Sequence, residues 1–295
     1  MEHQLQELRH LARNAGSWRT DTGIPRVAMV QGEIPAHRLA AVYDPMVNLI
    51  LTGWKTMTVG ERCLRYDPAT YFVMSVGLPA VGAVHPAEDG APYLAVNLTL
   101  RPEIITNLLA DLPKPATPAL GRSGFDIAAV TPELLDAWVR MLRLMERPQD
   151  ISALAPAYER EILYRVLQGP LGWLLRDIAT PDTTLSRIDV AIHWIRENFA
   201  APLRVETLAE MAALSASAFH RQFKAATALS PLQYQKRVRL LHARSRLLAG
   251  EGNATSIAFD VGYESATQFS REYARQFGQP PARDVAKFRA ELQAV

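Results

Sequence analysis

The chain has 295 residues, 48% of them hydrophobic and 21% charged, with a formal net charge of +2. This length allows two domains with separate cores, and the composition excludes disordered, collagen-like and membrane-protein classes. The single cysteine, Cys63, excludes an internal disulfide and a cysteine-rich zinc site, which is typical of a reducing compartment. The N-terminal segment MEHQLQELRHLARNAG has the pattern of a charged helix rather than a signal peptide, and no apolar run has the length of a membrane span. We therefore expect a cytoplasmic protein with no membrane partner.

The segment after this first helix has the pattern of a β-rich domain. Between residues 24 and 100, short stretches rich in Val, Thr, Tyr and Leu are separated by Gly, Pro and Asp. They are RVAMV, MVNLILT, WKTMTV, ERCLRY, TYFVMSV and PYLAVNLTL. Six or seven strands over so few residues predict a small barrel or a jelly roll.

Amphipathic helices are predicted next, because apolar residues recur at every third or fourth position. One helix begins after Thr131, an N-cap residue, with Pro132 at the first helical position. Two further helices each begin with a proline, Pro156 and Pro170. These helices must bury their apolar faces on the barrel or on a second copy of the chain, and we expect a homodimer.

The segment ATPDTTLS, residues 179–186, has the composition of a linker. It predicts one domain at residues 1–180 and an all-helical domain at residues 181–295. Residues 183–295 contain 15 Lys and Arg against 10 Asp and Glu, a net charge of +5, whereas the preceding 182 residues have a net charge of −3. Such a basic surplus fits DNA binding, and a solvated helical surface fits it equally well.

The helical domain contains one pattern twice. LAEMAALSASAFHRQF, residues 208–223, aligns with IAFDVGYESATQFSREY, residues 257–273, with one extra residue in the second copy. Each copy has the pattern of a helix, a tight turn and a second helix. The matched positions include Ala209 with Ala258, Ala213 with Gly262, Phe219 with Phe269 and Phe223 with Tyr273.

The second helix of each copy has an inward aromatic pair and an outward polar face. Outward residues are of the types that hydrogen-bond base edges in the major groove. They are Ser217, His220, Arg221 and Lys224 in the first copy and Thr267, Gln268 and Arg271 in the second. Any surface helix has polar residues opposite an apolar stripe, so it is the repetition that favours a DNA-binding surface.

A long helix is predicted between the two copies. Ser230 is its N-cap, Pro231 its first residue, and Gly250 follows its end. This helix would be about 28 Å long, close to the ~34 Å that separates successive major-groove faces on one side of a duplex. It therefore predicts two recognition helices held one DNA turn apart. Its cations, some of which could meet phosphates, are Lys236, Arg237, Arg239, Arg244 and Arg246.

Residues 186–289 resemble the DNA-binding domain of the AraC/XylS family of bacterial transcription regulators. The motifs are LAEMAALSASAFHRQFK, SPLQYQKRVRL and IAFDVGYESATQFSREYARQFGQPPARD. The resemblance implies that the second helix of each copy enters the major groove of double-stranded DNA, and that RNA polymerase is a partner. Two positions depart from the family pattern: Arg204 stands where a Ser or Thr cap is common, and Ala228 replaces the usual Gly.

The N-terminal half more loosely resembles the cupin-like sensor domain of an AraC subgroup, through VYDPMVNLILTGWK, YFVMSVGLPAVGAV and PYLAVNLTL. This implies an α+β protein: an N-terminal cupin-like β-barrel with appended helices that mediate dimerisation, then an all-α domain with two helix-turn-helix units joined by a linker helix. The barrel would bind a small-molecule effector or receive a chemical signal. Candidate effector-binding residues are Tyr43, Trp54, Cys63, Tyr66 and Tyr71. The aromatic residues fit an ordinary core or rim as well, and Cys63 fits either a buried hydrophobe or a redox sensor.

Two other functions fit parts of the sequence. A cupin-type metalloenzyme needs a closely spaced His pair with a carboxylate, but no two of the seven histidines lie two residues apart, and His37 and His85 are distant in sequence. Nucleotide, phosphate and zincin motifs are absent from the sequence. We therefore expect no catalytic residue, metal or cofactor. A non-specific nucleic-acid-binding protein would differ from a regulator in lacking a preference of about a thousandfold for one operator. We interpret the sequence as a sequence-specific transcription activator.

Overall fold

The computed structural model describes residues 1–15, 19–32, 39–113 and 123–293. The chain divides into two compact units, one of Met1–Asp189 with Arg221–Ala228 and the other of Val190–His220 with Leu229–Val295. The first break, after Asp189, lies close to the predicted linker, residues 179–186. His37 lies outside the described residues.

The β-rich part of the first unit consists of two antiparallel sheets. Six strands pair in the order β1-β2-β9-β4-β7-β10, and four pair in the order β3-β8-β5-β6. The strands are β1 Arg19–Asp21, β2 Val27–Gln31, β3 Ala40–Tyr43, β4 Met46–Thr52, β5 Trp54–Val59, β6 Arg62–Tyr66, β7 Thr70–Met74, β8 Leu78–His85, β9 Leu94–Thr99 and β10 Phe125–Ala129. Closure of a barrel requires the outermost strands to pair. Among the described residues, β1, β10, β3 and β6 remain sheet edges, so the predicted β-barrel is an open two-sheet structure.

The six predicted strand segments match β2, β4, β5, β6, β7 and β9, whereas β1, β3, β8 and β10 were not predicted from residue pattern. Strand β5 alternates, with Lys55, Met57 and Val59 buried and the residues between them half-buried. Strand β4 instead has five consecutive buried residues from Val47 to Leu51. It contacts helix α1, Glu2–Leu11, and pairs on both edges within its sheet.

Four longer helices complete the first unit: α2 Pro102–Ala110, α3 Pro132–Arg143, α4 Ile151–Gln168 and α5 Gly172–Ala179, with 3₁₀ turns at Leu144–Glu146 and Pro148–Asp150. The predicted start of α3 is confirmed, because the Thr131 side chain accepts a hydrogen bond from the Leu134 amide at 3.3 Å. The prediction that Pro156 opens a helix is wrong, since α4 begins at Ile151 and contains Pro156. As the sixth residue of α4, Pro156 removes one backbone hydrogen bond, and this cost is offset by packing of the later turns, which bury Ile162, Leu163 and Val166.

Helix α3 buries its apolar face within the chain, where it packs against α1 and α4. Its burial therefore does not require a second copy. The Arg26 guanidinium, before β2, forms a two-pronged ion pair with the buried Glu159 carboxylate of α4, with Nε 3.0 Å from Oε1. Because each partner would otherwise leave an unpaired charge at a partly buried position, this pair fixes α4 against the start of the sheet.

The described residues of the C-terminal part of the chain form helices joined by turns and short loops, without a strand. Its helices are α6 Thr184–Glu197, α7 Val205–Met211, α8 Ala216–Thr227, α9 Pro231–Ala249, α10 Ala254–Asp260, α11 Ala266–Phe277 and α12 Pro281–Gln293. The predicted bounds of α9 are confirmed. Ser230 and Gln233 form a reciprocal capping box at its start, and Gly250 ends it with a left-handed φ of 75°.

Candidate DNA-binding surface and effector cavity

The sequence repeat is a repeat of structure. Helices α7 and α10 have seven residues each, and α8 and α11 have twelve each. The turn hydrogen bond from the Leu214 amide to the Ala209 carbonyl measures 2.9 Å, as does its counterpart from Tyr263 to Ala258. Ser215 and Ser265 then cap the second helices, each accepting an amide hydrogen bond at 3.3 Å. The extra residue of the second copy is therefore Glu264, between the turn and the cap.

The second helix of each unit has the two faces that the sequence predicts. The aromatic pairs Phe219 with Phe223 and Phe269 with Tyr273 are buried. All seven predicted DNA-binding residues are exposed: Ser217, His220, Arg221 and Lys224 on α8, and Thr267, Gln268 and Arg271 on α11. The buried rings fix each helix by its inner face, so that hydroxyl, imidazole, amide and guanidinium groups are presented to solvent.

The two helix-turn-helix units differ at three equivalent positions. Asn253 caps α10 by accepting the Ser256 amide at 2.9 Å, whereas Arg204 makes no side-chain cap for α7. Left-handed turn residues are Gly262 and Gly278 in the second unit, with φ of 90° and 82°. Their counterparts are alanines, Ala213 and Ala228, with φ of 52° and 57°. A Cβ is unfavourable in this region of backbone conformation, so the first helix-turn-helix unit has less local stabilisation than the second.

The Arg239 guanidinium fixes the turn of the second helix-turn-helix unit to the residues that follow α6. Arg239 of α9 donates to the carbonyls of Phe199, Ala200, Ala201 and Gly262 at 2.6–3.1 Å. Gln235 also donates to two of them, those of Phe199 and Ala201. Gly262 is required at this contact, because a Cβ there would lie 2.2 Å from the Ala200 carbonyl oxygen.

Helix α12 is fixed by a buried ion pair. The Asp284 carboxylate accepts two hydrogen bonds from Arg244, at 2.8 and 3.0 Å, and one from the Tyr273 hydroxyl at 2.7 Å. Burial raises the pKa of Asp284, but the hydrogen bonds from Arg244 and Tyr273 outweigh it, and the net pKa lies below the usual value. Arg244 also lies over the Phe277 ring, 4.4 Å from its centroid. These contacts join α9, α11 and α12.

Most of the α9 cations that could bind phosphates instead form ion pairs or hydrogen bonds with residues of the helical C-terminal part of the chain. Besides Arg239 and Arg244, Lys236 pairs with Glu272 at 2.9 Å, and Arg246 pairs with Glu251 and Asp260. Glu272 also accepts from the Tyr263 hydroxyl at 2.9 Å, which orients α11. Most cations of the linker helix α9 therefore stabilise the packing of the helical domain, whereas Arg221, Lys224 and Arg271 of the recognition helices are exposed.

A cavity of about 400 Å³ lies between the two sheets of the first unit. Apolar side chains from both sheets line it, together with the polar residues Tyr43, Lys55, Asn48, Asn97, Tyr93 and Thr99. Asn48 and Asn97 are directly opposite each other on β4 and β9. Burial lowers the pKa of Lys55 to about 8 and raises those of Tyr43 and Tyr93. The cavity is thus a small, partly open volume with one buried amine.

The five predicted effector residues do not form one site. Tyr43 lines the cavity, and its hydroxyl donates to the Leu39 carbonyl at 2.7 Å. Trp54 lines a separate pocket of about 470 Å³, stacks on His85 at 3.6 Å and lies under Arg65. Tyr66 and Tyr71 are buried core residues, and Cys63 is exposed on β6.

Lys55 was not predicted, although its position in strand β5 gave a signal. It has the same alternation phase as Met57 and Val59, so a lysine occupies an inward position. The asparagines of β4 and β9 are the analogous polar residues on the facing sheet. Among the described residues, His, Cys, Asp and Glu form no group of three that could hold a metal ion. No helix in the described ranges is long and apolar enough to span a membrane.

Comparison with known families identifies the class of protein that this two-part architecture defines. The AraC-type transcriptional regulator N-terminus matches residues 23–174, and a helix-turn-helix domain matches residues 208–286. The chain therefore belongs to the AraC family of transcriptional regulators.

The chain is also similar to individual known proteins. The chain is 30% identical over 153 residues to the HTH-type transcriptional activator RhaS of Escherichia coli O1:K1 / APEC, covering 51% of this chain and 53% of RhaS. It thus spans about half the length of the curated relatives it matches. ToxT from Vibrio cholerae has a similar fold, with a TM-score of 0.58 at 9% identity over 88% of this chain and 98% of ToxT. A further structure of ToxT contains a bound unsaturated fatty acid; its TM-score is 0.53 at 9% identity, over 88% of this chain and 93% of that one.

Proposed function

We propose that this chain is a sequence-specific DNA-binding transcription activator controlled by a small molecule that binds between the two sheets. The observation that carries the proposal is the pair of exposed recognition faces, on α8 and α11, in a repeated helix-turn-helix structure. The activator RhaS supports the direction of control, and ToxT with its fatty acid supports a ligand inside this fold. A cytoplasmic homodimer that contacts RNA polymerase belongs to the same proposal, by family membership.

DNA recognition would divide between base reading and phosphate binding. Arg221 and Arg271 can each form two parallel hydrogen bonds to a guanine, and Gln268 can do so with an adenine. Ser217, His220 and Thr267 would act as shorter donors for neighbouring base edges, and Lys224 would bind a phosphate. The effector would alter DNA binding only by favouring one arrangement of the chain over another.

The test is quantitative operator binding by the full chain. An operator is first selected from random duplexes, and its affinity is then measured by fluorescence anisotropy against a scrambled duplex over a range of salt concentrations. Arg221→Ala and Arg271→Ala should each weaken operator binding by about 1–3 kcal/mol and relax the preference at one base position, because each removes a bidentate contact.

Arg147→Ala is the matched control. Arg147 is an exposed arginine of the first unit, so its loss changes the net charge equally without altering a recognition helix. Its operator affinity should equal that of the parent. Selection of no preferred sequence, or an equal loss of binding to operator and scrambled duplex as salt rises, would instead identify a non-specific nucleic-acid-binding protein.

A further inference from the structure

The cavity of the first unit contains a buried lysine, Lys55, that forms no ion pair with any residue the structure describes. Lys55 is 6% exposed, and none of the ion pairs between described residues includes its ammonium group. The Lys55 ammonium group lies over the Tyr43 ring, with Nζ 5.2 Å from the ring centroid. A buried ammonium is costly unless a partner of opposite charge compensates it.

The surrounding residues reserve space for this amine. Gly82 of β8 pairs with Met57 on the adjacent strand β5. A Cβ at Gly82 would lie 2.9 Å from Lys55 Cε and 3.2 Å from the Tyr43 hydroxyl oxygen. The absence of a side chain at this position therefore leaves room for the Lys55 side chain, which lines the cavity together with Asn97 and Tyr93.

The rest of the lining limits the ligand. The volume of about 400 Å³ is at the small end of the range for small-molecule sites, about 300–1,000 Å³. Val30, Leu39, Val42, Met46 and Val84 supply apolar walls, which suit a hydrocarbon body. Arg19 and Asp44 are exposed residues at the margin of the lining, so the buried positive charge is that of Lys55.

From these observations we propose that the effector is a small monocarboxylate whose carboxylate pairs with Lys55 and whose apolar body fills the space between the sheets. This inference rests on the proposed function and names the chemical class of its effector. A charged hydrogen bond at a buried amine supplies both affinity and discrimination against neutral analogues.

The test compares matched ligands on the full chain. Straight-chain carboxylates from butanoate to decanoate are titrated calorimetrically beside the primary amides of the same lengths. At least one carboxylate should bind, and its amide should bind at least tenfold more weakly, since the amide keeps the shape and loses the charge.

Lys55→Met removes the ammonium and keeps an unbranched side chain. It should weaken the binding of the carboxylate by about ten- to hundredfold and abolish the difference from the amide. The unliganded variant should melt no lower than the parent, because a ligand-binding cation contributes desolvation cost and no internal ion pair. Lys287→Met, on the exposed surface of α12, is the control and should bind the carboxylate as the parent does.

Three results would overturn the inference: no carboxylate binds, amide and carboxylate bind the parent equally, or Lys55→Met binds the carboxylate as tightly as the parent. The comparison of amide and carboxylate on the parent needs no variant and stands even if Lys55→Met fails to fold. Operator binding of the unliganded parent is measured in parallel. If operator binding persists while carboxylates fail, only this inference fails; loss of operator preference would contradict the proposed function itself.

Discussion

Replacing Gly262 with Ala should destabilise the second helix-turn-helix unit through its turn. Gly262 has a φ of 90°, and an L-residue in the left-handed region costs about 1–2 kcal/mol. The new Cβ would also lie 2.2 Å from the Ala200 carbonyl oxygen, which Arg239 holds in place. Because this neighbour is backbone, relief requires movement of α6 or the turn, which costs a further ~1–3 kcal/mol. The expected local loss is about 2–5 kcal/mol.

The reciprocal change in the first unit should have the opposite sign. Ala213 occupies the equivalent position with a φ of 52°, and its side chain is exposed. Ala213→Gly removes about 1–2 kcal/mol of strain from the folded state. The greater conformational freedom of glycine in the unfolded chain offsets about 0.4–1 kcal/mol of this gain. The net expectation is a stabilisation of about 0.5–1 kcal/mol.

Hydrogen exchange measured by mass spectrometry on the full chain separates the two effects, because amide protection reports local opening. In Gly262→Ala, peptides from α10 and α11 should exchange faster, while those from α1 to α5 should be unchanged. In Ala213→Gly, peptides from α7 and α8 should exchange more slowly. Parent-like protection of α10 and α11 in Gly262→Ala, or faster exchange of α7 and α8 in Ala213→Gly, would refute the assignment of strain to these turns.

Buried polar contacts stabilise the second helix-turn-helix unit and α12. Asp284 has a folded pKa below its unfolded value of ~3.9, so its stabilisation is present above that value and is lost as pH falls through the folded pKa. Protection of α12 should therefore decline below about pH 4 in the parent. Asp284→Ala should lose about 3–5 kcal/mol at neutral pH, because the buried Arg244 loses the carboxylate that accepts two of its hydrogen bonds; a parent-like urea midpoint would contradict this. Arg239→Lys should lose about 2–4 kcal/mol by the same assay, since an ammonium cannot reproduce the fork that binds four carbonyls, and equal stability of the lysine variant would show that charge alone suffices.

Local sequence signals predicted the helical domain well, because its contacts are close in the chain. Ser230, Pro231 and Gly250 set the ends of α9 through interactions with adjacent residues. The departures at Arg204 and Ala228 likewise appear as a missing cap and a left-handed alanine. The prediction at Pro156 was wrong because a local helix-start signal was outweighed by the packing of α4, and that packing involves residues distant in sequence.

The candidate sites divide in the same way. The exposure of Arg221 and Arg271 follows from their spacing relative to buried aromatic residues four apart on one helix. The effector residues could not be selected by composition, because Tyr43 and Tyr71 are the same residue type, and only strand pairing places the first beside the cavity and the second in the core. Lys55 is recognisable in the sequence as an inward lysine, but only the tertiary structure shows that it is buried and forms no ion pair with a described residue.

The amino-acid sequence by itself determined the repeated helix-turn-helix pattern, the inner and outer faces of both recognition helices and the position of the linker helix, since a helix converts spacing along the chain directly into a face. Tertiary structure alone decided that the strands form two open sheets, that most linker-helix cations are bound internally, and that an amine is buried between the sheets. Those features arise from pairings between residues far apart in the chain, whose partners local periodicity does not encode.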